Sequence, residues 1–184
     1  MRKTGDARFW QIASGDMGRD YSQLCLDHDI MLLGPGEFGP YDPQIYQKPI
    51  EEQVSSKESI GYVRRFCSDV RPGDIALLRY GHRVKGIGIV DGDYEYDSTF
   101  DDVDGWDLQH TRRVIWQNHL ENDLEDLQVR QAIFGHMKQQ PTFSAVHDNN
   151  VRDRIASLLP RCQTRPLRDM SDSPPEPLGL ATAT

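Results

Sequence analysis

The residues of this chain best suited to chemistry are cationic and aromatic. Between positions 61 and 88, Arg64, Arg65, Arg71, Arg79, Arg83 and Lys85 stand against only Asp69 and Asp74. Guanidinium and ammonium groups at that density are how a protein holds phosphates. Downstream, Asp91, Asp93, Glu95, Asp97, Asp101, Asp102, Asp104 and Asp107 follow one another with no Lys or Arg between them, and they account for the whole formal net charge of −8. The acidic total therefore does not exclude a polyanionic partner, because the remaining chain is neutral and carries its own basic portion. The plainer reading of the same pattern is a solvated surface of mixed charge. Among the aromatics, Trp106 sits in an acidic segment with no core role to play, so its indole is free to act as the wall or lid of a cage. Tyr80 ends an apolar run beside Gly81, where its ring can stack on a ligand or cap the core. Trp10 lies inside a strand and faces either core or pocket, and Trp116 reads as core.

Nucleophilic and metal chemistry lack their signatures. The chain has no His-Glu-x-x-His, no phosphate-binding P-loop and no nucleophile elbow. Gly34-Pro35-Gly36-Glu37-Phe38-Gly39 comes nearest to a dinucleotide fingerprint, but Pro35 and Pro40 make it a loop. The six histidines, at 28, 82, 110, 119, 136 and 147, show no ligand spacing. Cys25, Cys67 and Cys162 are odd in number and far apart, which disfavours disulfides and zinc and predicts reduced thiols, those of Cys25 and Cys67 buried. Neither a metal nor a cofactor is expected, and no residue is assigned a catalytic role.

The elements that must position these groups follow from pattern. A length of 184 residues with 37% hydrophobic content suits one domain with a tail. Ala7 to Ala13 reads as a first strand, Asp20 or Ser22 as the cap of a helix running to about Asp27, and Ile30 to Leu33 as a second strand ended by Gly34-Pro35-Gly36. Three prolines make 40–49 a loop. Ile60, Val63, Phe66, Cys67 and Val70 recur at three and four, a helix from Ser56 to Val70 with Arg64 and Arg65 on its outer face. Arg71-Pro72-Gly73-Asp74 is a tight turn. Ile75 to Leu78 is a strand covered on both faces. In Gly86 to Val90 glycine alternates with Ile, so one face lacks side chains and something else can approach the backbone closely. An acidic loop follows over 91–107, then a strand at Arg112 to Trp116, polar helical sequence at Leu120 to Phe134, an extended Pro141 to Ser144 and a helix at Asn150 to Leu159. Beyond Pro160 the sequence turns to Arg, Ser, Asp and Pro, a disordered tail or linker. The domain is thus bounded at 1–159 and the tail at 160–184. No apolar run is long enough to cross a bilayer, and residues 1–6 lack the apolar core of a signal peptide, so the expected location is the cytoplasm.

Taken in order, Ala7 to Ser14, Ile30 to Gly39, Val63-Arg64-Arg65-Phe66 leading to the Pro-Gly-Asp turn, Gly86 to Val90, Gly92-Asp93-Tyr94-Glu95-Tyr96-Asp97 and Arg112-Arg113-Val114-Ile115-Trp116 resemble the EVE-type members of the PUA-like superfamily, relatives of YTH and ASCH domains. The nearest resemblance is to the N-terminal specificity domains of McrB-type modification-dependent restriction systems, over residues 7–159. It implies an α+β fold, a PUA-like small mixed or antiparallel β-barrel flanked by helices, which holds a flipped and often methylated base in a pocket. Carried over by position, the pocket falls at Ser14, Gly15, Asp16 and Met17, at Leu33, Gly34 and Pro35, and at Arg79 and Tyr80. This chain has Pro35 where McrB-type relatives place a Trp, so the aromatic wall passes to Trp106 or Tyr41.

The expected function is then non-catalytic recognition of modified DNA in an anti-phage restriction system. Arg64, Arg65, Arg79, Arg83 and Lys85 would hold phosphates, while Ser14, Gly15, Asp16, Met17, Leu33, Gly34, Pro35, Tyr80 and Trp106 surround the base. The expected partner is modified double-stranded DNA, together with a nuclease or NTPase that follows Thr184 or is separately encoded, and no membrane. The alternatives are a reader of modified or single-stranded RNA, an ASCH-like enzyme acting on modified nucleosides, and a protein-interaction domain whose acidic loop binds a basic partner.

Overall fold

Residues 7–16, 18–47, 57–117 and 141–159 are described by the structure, a computed structural model. Their strands are β1 (Phe9–Ala13), β2 (Gly15–Asp16), β3 (Arg19–Asp20), β4 (Ile30–Leu33), β5 (Ile75–Tyr80), β6 (Arg83–Tyr96), β7 (His110–Trp116) and β8 (Phe143–Ala145), and their helices are α1 (Ser22–Asp27), α2 (Pro43–Gln47), α3 (Lys57–Ser68) and α4 (Asn149–Leu158). The fold is α+β. One sheet runs in the order β4-β7-β6-β5-β1-β8, parallel only between β1 and β5, and β2 and β3 form a separate hairpin.

Alternation along the central strands explains why both faces of the sheet are covered. Trp10, Ile12, Ala76 and Leu78 point into the larger core with Val63 and Phe66 of α3. Phe9, Ile75 and Leu77 point the other way, onto Val151 and Ile155 of α4. The Pro-Gly turn locks the two together: Asp74 is buried and accepts hydrogen bonds from the backbone of Arg8 (3.1 Å) and Arg71 (3.1 Å) and from Trp10 Nε1 (2.9 Å). Trp10 is therefore a core residue, stacked on Phe143 with centroids 5.2 Å apart.

The bare face of Gly86 and Gly88 is occupied by Trp116 rather than by a ligand. A Cβ on Gly88 would lie 2.8 Å from Trp116 Cε3 and 2.5 Å from Val114 Cγ1, and one on Gly86 would lie 3.3 Å from the same indole. The acidic stretch 91–107 is strand over its first six residues, since β6 continues through Tyr96 and pairs Tyr94, Glu95 and Tyr96 with Arg112, Thr111 and His110. Alternation decides this, because Tyr94 and Tyr96 pack inward while Asp93 and Glu95 face solvent. The proline-rich stretch holds a short helix, α2, which Pro43 begins because a first-turn residue needs no free N–H. Asp42 accepts from Gln44 N at 2.7 Å in that first turn. Cys25 is buried and Cys67 partly so. The expected helical sequence at 120–134 and the tail at 160–184 lie outside the described residues. No helix among the described residues is long and apolar enough to cross a membrane.

The sheet is not a regular ladder throughout. A register shift between Val90 and Tyr94 interrupts the β6 ladder, as a bulge does. Its two edge strands converge on one place: Leu33 ends β4, Thr142 immediately precedes β8, and both border the same cavity. Among the described residues no hydrogen-bonded pairing joins β4 to β8.

Candidate functional site

That cavity has a volume of about 410 Å³ and opens to solvent. Leu33, Leu108 and Tyr21 give it an apolar interior, Pro35 and Trp106 flank it, and Glu37, Asp107, Ser59 and Thr142 supply the polar groups. No cationic side chain of the described residues lines it. Its size lies within the range of small-molecule sites, roughly 300–1,000 Å³.

Two loops shape it. Gly34-Pro35-Gly36 lies flat against Asp107 to Gln109: Gly36 N donates to Asp107 O at 2.9 Å, and a Cβ on Gly34 would stand 2.5 Å from that same oxygen. The Gly34–Pro35 peptide is cis. Behind Pro35 sits the fully buried His110, whose Nε2 lies 3.0 Å from Pro35 O and 3.1 Å from Tyr46 Oη, while its Nδ1 lies 2.9 Å from Tyr94 Oη. With the proton on Nε2, His110 donates to Pro35 O and accepts from the Tyr94 hydroxyl, and every partner is served. Burial holds the imidazole neutral, pushing its pKa down to about 4. The second loop, Val103 to Trp106, closes on itself through Val103 N to Trp106 O (2.8 Å) and Trp106 N to Val103 O (3.1 Å). It carries the indole of Trp106 onto the edge of Tyr21, with centroids 5.9 Å apart.

The two carboxylates give the cavity its electrostatic character. The pKa of Asp107 is raised, first by burial and then by its hydrogen-bond partner, the Asp101 carboxylate. A planar ligand entering here meets an aromatic wall and groups that accept from N–H donors, and Asp107, when protonated, donates as well. Among the described residues no three His, Cys, Asp or Glu side chains are grouped to hold a metal ion.

A family model described as a domain of unknown function, DUF8426, matches residues 10–144, well over half of the chain. The chain belongs to that family. The match spans every cavity-lining residue, from Tyr21 to Thr142. No curated protein matches this DUF8426 chain. Among solved structures it is similar to protein Atu2648 from Agrobacterium tumefaciens, at 14% identity over 82% of this chain and 92% of that one, with a TM-score of 0.34.

Of the residues expected around a base, the DUF8426 domain brings Leu33, Gly34, Pro35 and Trp106 together at the cavity. Ser14, Gly15, Asp16 and Tyr80 do not line it, and Met17 lies outside the described residues. Ser14 is buried, donating to Arg79 O at 3.1 Å, and Gly15 packs so tightly on β3 that a Cβ would meet Arg19 O at 1.8 Å. Asp16 accepts from the Arg19 guanidinium, which holds its carboxyl below the usual range. Tyr41 is no wall of the cavity either; it packs on Tyr46 and Tyr94.

Arg79 is corrected from a phosphate contact to an internal strut. It is 3% exposed, with its guanidinium donating to Gln11 Oε1, Gly81 O and Pro141 O, and burial pulls its pKa down to about 10. By gripping Pro141 it steadies the neighbouring Thr142 at the cavity. Arg64 and Arg83 are exposed, whereas Arg65 is half-buried with its guanidinium 5.4 Å from the Tyr62 ring. Lys85 pairs with Asp20 at 3.3 Å and lies 5.8 Å from the ring of Tyr80. The residues missed were Tyr21, Glu37, Ser59, Gly105, Asp107, Leu108 and Thr142. Glu37, Gly105, Asp107 and Leu108 are within two residues of positions already chosen and were open to that inference. Tyr21, Ser59 and Thr142 arrive from separate elements with no local signal.

Proposed function

We propose that this domain is a non-catalytic reader of modified DNA, an EVE-type member of the PUA-like superfamily, which takes a flipped, methylated base into the cavity beside Trp106. The observation that carries the reading is convergence. Leu33-Gly34-Pro35 and Trp106, singled out on separate grounds and some seventy residues apart, line one cavity of about 410 Å³. The lining suits an uncharged base rather than its phosphate: the indole offers stacking, Glu37 and Asp107 accept from amino and ring N–H groups, and the cations stand outside. Arg64 and Arg83, both exposed, are the proposed phosphate contacts, with Lys85 and Arg65 nearby in sequence. That Leu33 and Thr142, next to the two edge strands, border the same cavity is what supports a barrel of the kind this superfamily uses. Membership of a modification-dependent restriction system, with a nuclease or NTPase partner and a cytoplasmic location, belongs to the same proposal.

The test is fluorescence anisotropy at matched salt. Duplexes bearing N6-methyladenine, 5-methylcytosine, 5-hydroxymethylcytosine or glucosylated cytosine are compared with the unmodified duplex and with methylated RNA of the same sequence. One modified duplex is expected to bind about tenfold or more tightly than its unmodified counterpart, the difference a base pocket must supply after the cost of flipping. Arg83→Ala should weaken every duplex alike and reduce the salt slope by about one. Equal affinity for all duplexes would overturn the proposal, and preference for the RNA would transfer it to that partner.

A further inference from the structure

Trp106 is held in place by a residue that the cavity does not include. Arg19, in β3, extends its guanidinium over the Trp106 ring, with Cζ 4.4 Å from the centroid. Its Nη1 donates to Asp104 O at 2.8 Å and its Nη2 to Asp16 Oδ2 at 2.9 Å. Asp16 is fixed in turn, its Oδ1 accepting from Gly18 N at 3.0 Å and Arg19 N at 3.2 Å. Three contacts thus converge on one planar group, joining the β2–β3 hairpin to the Val103 to Trp106 loop. Arg19 adds to the two hydrogen bonds that close this loop, which reverses through two residues of positive φ, Asp104 (51°) and Gly105 (83°), and has an exposed tip. Arg19 does not line the cavity while Trp106 does, so the guanidinium covers the indole from outside and Tyr21 meets it from within.

We infer that Arg19 is the positioning residue of the pocket: keyed to Asp16 and to the Asp104 carbonyl, it fixes the plane of Trp106 as a cavity wall. The β2–β3 segment, expected to touch a ligand itself, acts instead through this contact. Arginine is required rather than a cation in general, since only a flat fork serves two acceptors and lies on a ring at once. The Asp16 and Arg19 side chains are 47% and 39% exposed, so the ion pair by itself adds little to folding. Its effect is on where Trp106 sits. That Trp106 then faces a ligand rests on the function proposed above, whereas its fixation by Arg19 does not.

Acrylamide quenching of tryptophan fluorescence in the full chain separates the two. Trp10 and Trp116 are buried, so wild type minus Trp106→Phe gives the Trp106 component. Arg19→Ala should raise the quenching constant of that component about twofold or more, and Arg19→Lys should fail to restore it, because neither side chain can bridge and stack together. The thermal midpoint should move by no more than about 3 °C. If Arg19→Ala folds poorly, Asp16→Asn removes one anchor and should give a smaller rise. An unchanged Trp106 component in the folded variants overturns the inference. In duplex binding, Arg19→Ala and Trp106→Phe should each reduce discrimination, and the double variant should lose no more than the worse single one. Failure of every duplex to bind would defeat the function proposed above and leave the quenching result to decide the role of Arg19.

Discussion

The turn at Arg71 to Asp74 and the loop at Val103 to Asp107 are built alike, yet their aspartates meet opposite surroundings. Each turns through a glycine of positive φ, Gly73 at 89° and Gly105 at 83°, and each is followed by a carboxylate on the way into a strand, Asp74 into β5 and Asp107 into β7. Asp74 is 1% exposed and accepts from three N–H donors, two on the backbone and one on Trp10. Asp107 is half-buried against another carboxylate, Asp101, and faces a cavity. A carboxylate satisfied from within the chain fixes the fold and needs nothing more. Asp107 has an internal partner in Gln109, but beside a like charge it also favours a proton or a further donor. The conspicuous Pro-Gly-Asp motif is thus scaffold, and the unremarkable acidic loop is the one that borders the cavity.

If that division is right, the largest loss of stability lies at the scaffold aspartate. Asp74→Ala strands the indole N–H of Trp10 and two backbone amides in the interior, and should cost roughly 4 kcal/mol in urea unfolding. Binding by the fraction still folded should keep its preference among duplexes. A loss below about 1 kcal/mol would mean that Asp74 is dispensable to the sheet, and the contrast with Asp107 would fail.

A second effect of similar size depends on pH. His110 supports Pro35 from behind, and its pKa lies near 4 in the folded chain against an ordinary 6.5. Between those values the unfolded chain takes up a proton that the folded chain refuses, so stability falls as pH drops from 6.5 toward 4. The gap corresponds to about 3 kcal/mol at most. Other carboxylates titrate in the same window, so the measurement is a difference. The advantage of wild type over His110→Gln should shrink by that amount between pH 7 and pH 4. A constant difference would show that the imidazole is not held neutral.

The physical basis of these two sites explains how much of the molecule was legible in sequence. The Pro-Gly-Asp turn, the buried Ile75 to Leu78 strand, β4 and the inner stripe of α3 are local features, and local chemistry predicts them. Gly86 and Gly88 show where that ends. Glycine alternation correctly announced a close approach, but nothing local tells an indole of the same chain, Trp116, from a ligand. Arg79 failed for a related reason: charge predicts exposure until an amide and two carbonyls from distant segments, Gln11, Gly81 and Pro141, surround it. Of the cavity wall, Trp106 was legible because it had no core role to explain it, and Leu33, Gly34 and Pro35 through the family resemblance. Tyr21, Ser59 and Thr142 reach it only through tertiary folding. Gly88→Ala tests the scaffold reading of the glycine strand: its methyl group would meet Val114, Ile115 and Trp116 within 3 Å and should cost about 2 kcal/mol. A neutral outcome would return that face to the list of open surfaces.

The smallest stability change and the most telling result belong to Trp106. Its indole touches Tyr21 by an edge and Arg19 by a face, and its loop is held by its own two hydrogen bonds, so Trp106→Phe should shift unfolding by no more than about 1 kcal/mol. If the cavity takes a base, the same variant narrows the affinity ratio of modified to unmodified duplex about threefold, since stacking on an aromatic contributes roughly 1–3 kcal/mol per base and phenylalanine keeps part of it. The two regions then differ in kind: Asp74→Ala removes stability and spares selectivity, while Trp106→Phe spares stability and lowers selectivity. A large loss of stability at Trp106 with selectivity intact would reverse that assignment and make the loop part of the core.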